Sequence, residues 1–374
     1  MKRPLTLTLC LTHNCNLRCR YCYAGRKYAH AMDWETARAG MELGLAEAQR
    51  LGISVDLSFF GGEPLLEWEL LQRCHAYMQE RGDSLCTPPR YGITTNATLL
   101  SPDKLAWMAE RDFLVGVSVD GSPAMHDTNR RFADGTGSHA ALQPALQEIR
   151  KYPALRSKAI CVVNPANCHL LTEGVAWLHE HYDHEIGLNL DYWHEWTDEQ
   201  FDVLTAQLQQ VQQMMLDAYR SGTRPVQVDN ISGKIYTHLN GKGCDACRIG
   251  EQEIAVSVDG NLFPCSRLVG EGDTDSFNFG NVHSGIDRAR QNYIIATRGN
   301  ATPACKLCAL RTRCMNGCGC SNYAASGQIN QVSPFLCSSE RLLIRLADEL
   351  AETLYAEKNP AFMREFYGDG ATGN

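Results

Sequence analysis

Six short apolar runs, each followed by a helical or turn-rich stretch, fill the first half of this 374-residue chain. They are LTLTLC (5–10), VDLSFF (55–60), RYGITT (90–95), FLVGVSVD (113–120), SKAICVV (157–163) and EIGLNL (185–190). Between them, one helical pattern carries Trp34, Ala37, Met41, Leu45 and Ala48, and a second runs from Pro64 to about Glu80. Others cover 102–111, 138–151 and 168–181. Strands alternating with helices form parallel βαβ units. Six units are too few for a closed eight-stranded barrel. They predict an α/β fold built on an open, partial (β/α)6 TIM barrel, in which loops after the strands carry the chemistry.

A longer helix follows at 197–220, with Phe201, Leu204, Leu208, Val211 and Met215 spaced by three and four. From about residue 225 the texture changes to Gly-, Asn- and Cys-rich, with few helical patterns until a last helix at 338–357. EIAVSVDGNLFPC (253–265) predicts a hairpin turning at Asp259-Gly260. The expected division is a partial barrel over 1–222, a small Cys-rich domain over 223–340, and a C-terminal helix and tail over 341–374.

A net charge of −8 argues against a nucleic-acid or membrane-surface binder. No apolar run reaches the roughly 18 residues of a membrane span. MKRPLTLTLC lacks the apolar length and cleavage site of a signal peptide. A cytoplasmic protein is expected, where thiols stay reduced and clustered cysteines are metal ligands rather than disulfides.

The chain has seventeen cysteines, and Cys15, Cys19 and Cys22 fall on the loop after the first strand. Three thiolates at this spacing suit a [4Fe–4S] cluster with one iron left open. Zinc stays an alternative, with His13 as a fourth ligand. CNLRCRYC resembles the cluster loop of the radical S-adenosylmethionine (SAM) enzymes, with Tyr21 as the aromatic before the last cysteine. The resemblance implies that the open iron binds SAM, whose cleavage yields a 5′-deoxyadenosyl radical that takes hydrogen from a substrate. Three further stretches are similar to family motifs. FFGGEPLL (59–66) contains Gly-Gly-Glu-Pro. By resemblance Gly61 and Gly62 bring the backbone close to the SAM amino group and Glu63 accepts from it. ITTNATLLS (93–101) places Asn96 near the SAM ribose, and VSVDGSPAMHDTNRR (117–131) offers Ser118 and one of Arg130 or Arg131 to polar groups of SAM. Asp191, ending the sixth strand, faces SAM or substrate, or caps the strand.

The later cysteines resemble the seven-cysteine SPASM domain, an extension of radical SAM enzymes that act on peptides and proteins. Cys247 is followed by twelve residues, Gly260, four residues and Cys265; then come Cys305-x2-Cys308-x5-Cys314-x3-Cys318 and Cys337. The family holds two auxiliary [4Fe–4S] clusters, three clusters in all. By carry-over, Cys265, Cys318, Cys247 and Cys244 bind the first, and Cys305, Cys308, Cys314 and Cys337 the second. Cys320 is a spare thiol beside Cys318. Cys10, Cys74, Cys86, Cys161 and Cys168 read as small hydrophobes. The histidines of WLHEHYDHE (177–185) read as a solvated turn, and the tryptophans of DYWHEW (191–196) wall a peptide channel or pack against the 197–220 helix.

The expected reaction is oxidative cross-linking of a ribosomal peptide, through a thioether or carbon–carbon bond. The alternatives are oxidation or rearrangement of a peptide on the way to a small redox cofactor, and formylglycine formation in a sulfatase. As that subgroup is understood, an aspartate follows the second auxiliary cysteine as general base; here Ser266 and Arg267 follow Cys265. The segment GNLFPCSRLVG resembles the cross-linking maturases. No base is identified; Glu251, Glu253 and Asp259 qualify by location alone. A multi-cluster electron-transfer or zinc-scaffold protein is the non-enzyme alternative. About nine residues precede the cluster loop. A leader peptide is therefore expected to bind the barrel directly or through a separate recognition protein. The other expected partner is an electron donor such as flavodoxin or ferredoxin.

Overall fold

Period-two alternation writes the first strand. Leu5, Leu7 and Leu9 of β1 (Leu5–Cys10) are fully buried, with Thr6 and Thr8 between them only partly covered. The computed structural model describes residues 3–82, 88–241, 247–270, 276–298 and 302–368. β1 is followed by α1 (Trp34–Leu51), β2 (Val55–Phe60), α2 (Trp68–Gly82), β3 (Arg90–Thr95), α3 (Pro102–Ala109) and β4 (Leu114–Ser118). Next come α4 (Pro123–Asn129), α5 (His139–Ile149), β5 (Arg156–Val163), α6 (Leu171–His181), β6 (Glu185–Leu190) and α7 (Asp198–Ser221). Several helices start where a side chain takes an orphan amide of the first turn. Asp33 accepts from Thr36 N–H at the head of α1, and Thr197 with Gln200 forms a capping box on α7.

The chain divides into two compact units: Met1–Ser118 with Asn129–Lys158 and Arg248–Asn300, and Val119–Thr128 with Ala159–Cys247 and Ala301–Asn374. In the first unit β1 pairs in parallel with β2, β2 with β3 and β3 with β4, Leu7 standing opposite Leu57. β5 begins in this unit, where Ser157 Oγ donates to the Val115 carbonyl at 3.0 Å. It ends in the second unit, where Asp191 N–H donates to the Val163 carbonyl at 2.9 Å. The expected hairpin forms from β7 (Glu253–Val256) and β8 (Leu262–Phe263), with Gly260 at φ +78° in its turn. It also does what spacing alone does not reveal: β7 pairs in parallel with β1, Leu7 opposite Ile254. The strand order is β6-β5-β4-β3-β2-β1-β7-β8, a mostly parallel open sheet rather than a closed barrel.

The region expected to be poor in helix is not. It holds α8 (Asp229–Asn240), a short ribbon of β9 (Gly280–Asn281) and β10 (Gly285–Ile286), α9 (Arg288–Arg298), α10 (Pro303–Lys306) and α11 (Gly319–Ser326). Their apolar stripes are too thin to read: α9 buries only Gln291 and Ile294. The last long helix, α12 (Pro334–Ala356), starts four residues before the expected 338, because Ser333 accepts from Leu336 N–H and Pro334 suits a first turn. Cys337 therefore lies in a helical first turn. A further helix, α13 (Pro360–Tyr367), follows it.

Candidate active site and thiol clusters

The thiol loop after β1 is held mainly by its backbone. Gly62 N–H donates to Thr12 O at 2.6 Å and Glu63 N–H to Asn14 O at 2.9 Å. Arg18 N–H donates to Arg131 O, and Arg20 N–H to Asn129 O. A Cβ on Gly61, at φ +130°, would stand 2.6 Å from Thr12 O, and one on Gly62 would overlap the Asn14 carbonyl. The two glycines thus let the loop after β2 pack directly on the backbone of the thiol loop.

Glu63 is likewise engaged within the protein. Its buried carboxylate accepts from Leu65 N–H at 3.1 Å, Thr95 Oγ1 at 2.6 Å and Asn96 N–H at 2.8 Å. Burial pushes its carboxyl above the usual range, against the pull of those three bonds. Asn96 carries the connection back to the thiols, donating from Nδ2 to Asn16 Oδ1 at 2.9 Å and lying 3.8 Å from Cys15 Sγ. Asn16 in turn donates to Thr98 Oγ1 at 2.7 Å. The loops after β1, β2 and β3 thus form one hydrogen-bonded constellation. Thr95 and Asn16 were not singled out in the sequence, because nothing local marks them.

Cys15 and Cys19 are partly buried and Cys22 is exposed. Burial raises the Cys15 thiol; the Leu17 amide and the charge of Lys27 oppose it. Lys27 Nζ is itself buried with no hydrogen-bond partner among the described residues. An ammonium without a counter-charge is costly, so an anionic group at this loop fits the residues present. His13, the alternative zinc ligand, stacks on Tyr28 with ring centroids 4.9 Å apart. Arg130 is buried, its guanidinium 5.2 Å from the Tyr21 ring centroid. Ser118 closes β4. In the second unit, the buried Asp191 carboxylate accepts from Trp193 N–H at 2.9 Å and pairs with His194 Nδ1 at 2.7 Å.

Cys305, Cys308, Cys314 and Cys337, spread over more than thirty residues of chain, line one cavity in the second unit. Burial pushes the Cys314 thiol up to about 12, and the nearby Glu340 charge adds to this. Cys318 behaves in the opposite way: hydrogen bonds with Cys247 and Cys320 hold its thiol well below the usual range. Its sulfur lies 3.6 Å from that of Cys320, the spare thiol of the sequence, which is buried. In the first unit Cys265 sits near enough to Cys10 to raise that thiol, after burial, to about 12. Cys244 and Cys86 lie outside the described residues. Among the described residues, no three His, Cys, Asp or Glu side chains close around a point that a single ion would fill. The donor set of the four-thiol cavity, sulfur on several sides of a shared space, suits a group larger than one ion.

The three acidic groups named by location are all engaged: Glu251 with Arg298, Glu253 with Arg3, and Asp259 with His30. Trp196 stacks on Phe335 at 4.6 Å and Phe335 meets Phe201 of α7 edge-on, which is the packing alternative of the sequence reading. Trp193 stays 45 % exposed, its ring edge-on to Tyr323.

The model of the Radical SAM superfamily matches residues 9–165. An uncharacterized protein of Methanocaldococcus jannaschii is 35 % identical over 146 residues, 39 % of this chain and 49 % of that one. The chain thus spans about half the length of that relative. A cysteine-type anaerobic sulfatase-maturating enzyme of Clostridium perfringens is 24 % identical over 345 residues, 84 % of this chain and 89 % of its own. A PqqA peptide cyclase of Rhodopseudomonas palustris is 26 % identical over 395 residues, 99 % and 95 % of the two chains. Among solved structures, native anSMEcpe with bound AdoMet and Cp18Cys peptide superposes with a TM-score of 0.78 at 20 % identity, over 95 % of this chain and 99 % of that one. That likeness establishes the fold. The domain match begins inside β1 and takes in the thiol loop, so residues 9–165 form a radical SAM domain, and similarity to the sulfatase-maturating enzyme and the peptide cyclase extends along most or nearly all of the chain.

Proposed function

We propose that the protein is a peptide maturase that binds SAM beside a [4Fe–4S] cluster on Cys15, Cys19 and Cys22, and installs an oxidative thioether or carbon–carbon cross-link in a ribosomal peptide. The observation that carries this reading is homology to a PqqA peptide cyclase over 99 % of the chain. When bound, SAM and the cluster supply the one-electron chemistry that generates a hydrogen-abstracting radical. The protein's own part is positional. Glu63 and Asn96 lock the loops around the thiols, and Lys27 offsets negative charge there. Arg130, Tyr21, Ser118 and Asp191 are proposed contacts to SAM or substrate.

Two auxiliary clusters complete the reading. One is held by Cys305, Cys308, Cys314 and Cys337. The other is held by Cys247, Cys265 and Cys318, with Cys244 as the fourth ligand. A separate leader-recognition protein and a flavodoxin- or ferredoxin-like donor are the proposed partners, and the cytoplasm the proposed compartment. No helix among the described residues is long and apolar enough to cross a membrane.

A second reading, formylglycine formation, has the Clostridium perfringens relative in its favour. Against it, Ser266 and Arg267 stand where that reaction wants a carboxylate, and the Arg267 guanidinium lies 5.7 Å from the Tyr23 ring centroid. The test is the intact mass of a candidate peptide after anaerobic co-production with the protein. Loss of two hydrogens, with one residue pair newly resistant to fragmentation, supports cross-linking. An unchanged peptide, with aldehyde formed on a sulfatase fragment instead, sinks it. Cys19→Ala should abolish 5′-deoxyadenosine formation from SAM in either case.

A further inference from the structure

A buried ion pair outside the SAM-facing constellation has no part in the mechanism above. Lys234 of α8 and Glu340 of α12 meet at 2.7 Å with side chains 7 % and 3 % exposed. Such a pair gives up hydration that its mutual attraction barely returns, so it is weak evidence for stability alone. Its hydrogen bonds show what it does locally. Lys234 Nζ donates to the carbonyl of Arg313 at 2.8 Å. Glu340 Oε2 accepts from the N–H of Met315 at 2.6 Å. Arg313 and Met315 flank Cys314, so the two ends of one ion pair grip the backbone on either side of that thiol.

The grip is reinforced from outside. The Arg313 guanidinium pairs with Asp348 of α12 through both nitrogens and reaches back to the Lys234 carbonyl at 3.2 Å. Asn316 Nδ2 donates to the Arg311 and Cys314 carbonyls, closing the turn. Glu340 lies three residues after Cys337 on the same helix and lines the same cavity as the four thiols. One side chain therefore ties the Cys314 segment to the helix that carries Cys337. Both charged ends bond the residues directly flanking Cys314, so both charges stand close to that thiol.

We propose that Lys234 and Glu340 are positioning residues of the four-thiol site: their ion pair holds Cys314 in register with Cys337, and their opposite charges set the reduction potential of the cluster held there. This rests on the reading that Cys305, Cys308, Cys314 and Cys337 hold an iron–sulfur cluster. Reduction adds one electron to a cluster, so a fixed negative charge beside it lowers the potential and a fixed positive charge raises it.

The experiment uses the full-length protein, reconstituted anaerobically with ferrous iron and sulfide. Cys314→Ala identifies the electron-paramagnetic signal of this cluster by its loss. Dye-mediated redox titration then compares the wild type with Glu340→Gln and Lys234→Met. The potential should rise in Glu340→Gln and fall in Lys234→Met. Both variants should lose this cluster's iron to a chelator several-fold faster. Shifts of the same sign, or no shift with iron content unchanged, would overturn the proposal; a merely structural pair has no reason to move the potential in opposite directions. If a single variant fails to fold, the double variant Lys234→Met with Glu340→Met replaces both charges by packed apolar side chains. It should fold and still release this iron several-fold faster, and an unchanged release rate rejects the grip. Full iron and an intact signal in Cys314→Ala would instead overturn the four-thiol reading beneath, and the proposal with it.

Discussion

Glu63 has partners within the protein that its motif does not announce. The Gly-Gly-Glu-Pro motif marks it, yet its oxygens are spent on Thr95 and Asn96, 32 and 33 residues away. Glu63→Ala would strand three buried donors, a cost of about 3 kcal/mol on the scale of unmade buried hydrogen bonds. The urea midpoint should fall accordingly, and Glu63→Gln, which keeps an accepting oxygen, should recover part of the loss. Gly62→Ala tests the neighbouring constraint. Its Cβ meets backbone that cannot step aside, unlike the flexible end of a side chain. We expect about 2–3 kcal/mol of destabilisation, as for overpacking elsewhere, with early loss of iron from the Cys15 loop. A variant as stable and as iron-rich as the wild type would contradict the close approach. Cys15, Cys19 and Cys22 were legible because their meaning lies in spacing along one loop. Asn16, Thr95 and Lys27 were not, because their meaning lies in what other loops bring to them.

At the scale of elements, most helices and strands announced themselves by period, and those that did not are short or thinly apolar. One electrostatic link joins two that are far apart in sequence. Glu47 of α1 accepts from both Arg50 and Arg288, the first residue of α9, and its side chain is 3 % exposed. Burial alone would raise its carboxyl; the two guanidiniums outweigh burial and hold it at about 2, against an ordinary 4.5. A depressed folded-state value means the link stabilises fully above pH 4.5 and is lost as pH falls toward 2. Both arginines are about half exposed, at 54 % and 44 %, so solvent screening reduces the contribution to about 1–2 kcal/mol. Wild type and Glu47→Gln should therefore differ most near neutral pH and converge on acidification through that window. A constant gap between their denaturation midpoints across the window would refute the link.

For the whole molecule, the two compact units differ in what holds them. The first has a sheet whose strands bury apolar side chains at alternate positions, and it should hold its strands without iron. The second contains the segment 302–340, where α10 and α11 are short, α10 buries no residue, and four thiols line a shared cavity. Cluster binding contributes folding free energy where a core does not. Removing iron with a chelator should speed amide exchange across 302–340 while β1, β2 and β3 stay protected. Equal protection with and without iron would mean that this segment is held by its side chains alone.

The sequence by itself determined the parallel α/β class, the open sheet, the thiol loop after β1 and the family resemblance. Each of those is written in local period or in fixed spacing, which survive without knowing what lies nearby. Only the tertiary structure decided that β7 joins β1, that Gly61 and Gly62 serve the thiol loop, that Glu63 binds Thr95 and Asn96, and that Lys234 and Glu340 grip Cys314. Those are contacts between segments about 25 to 250 residues apart. Burial and hydrogen-bond geometry select such partners, and neither leaves a periodic trace in the chain.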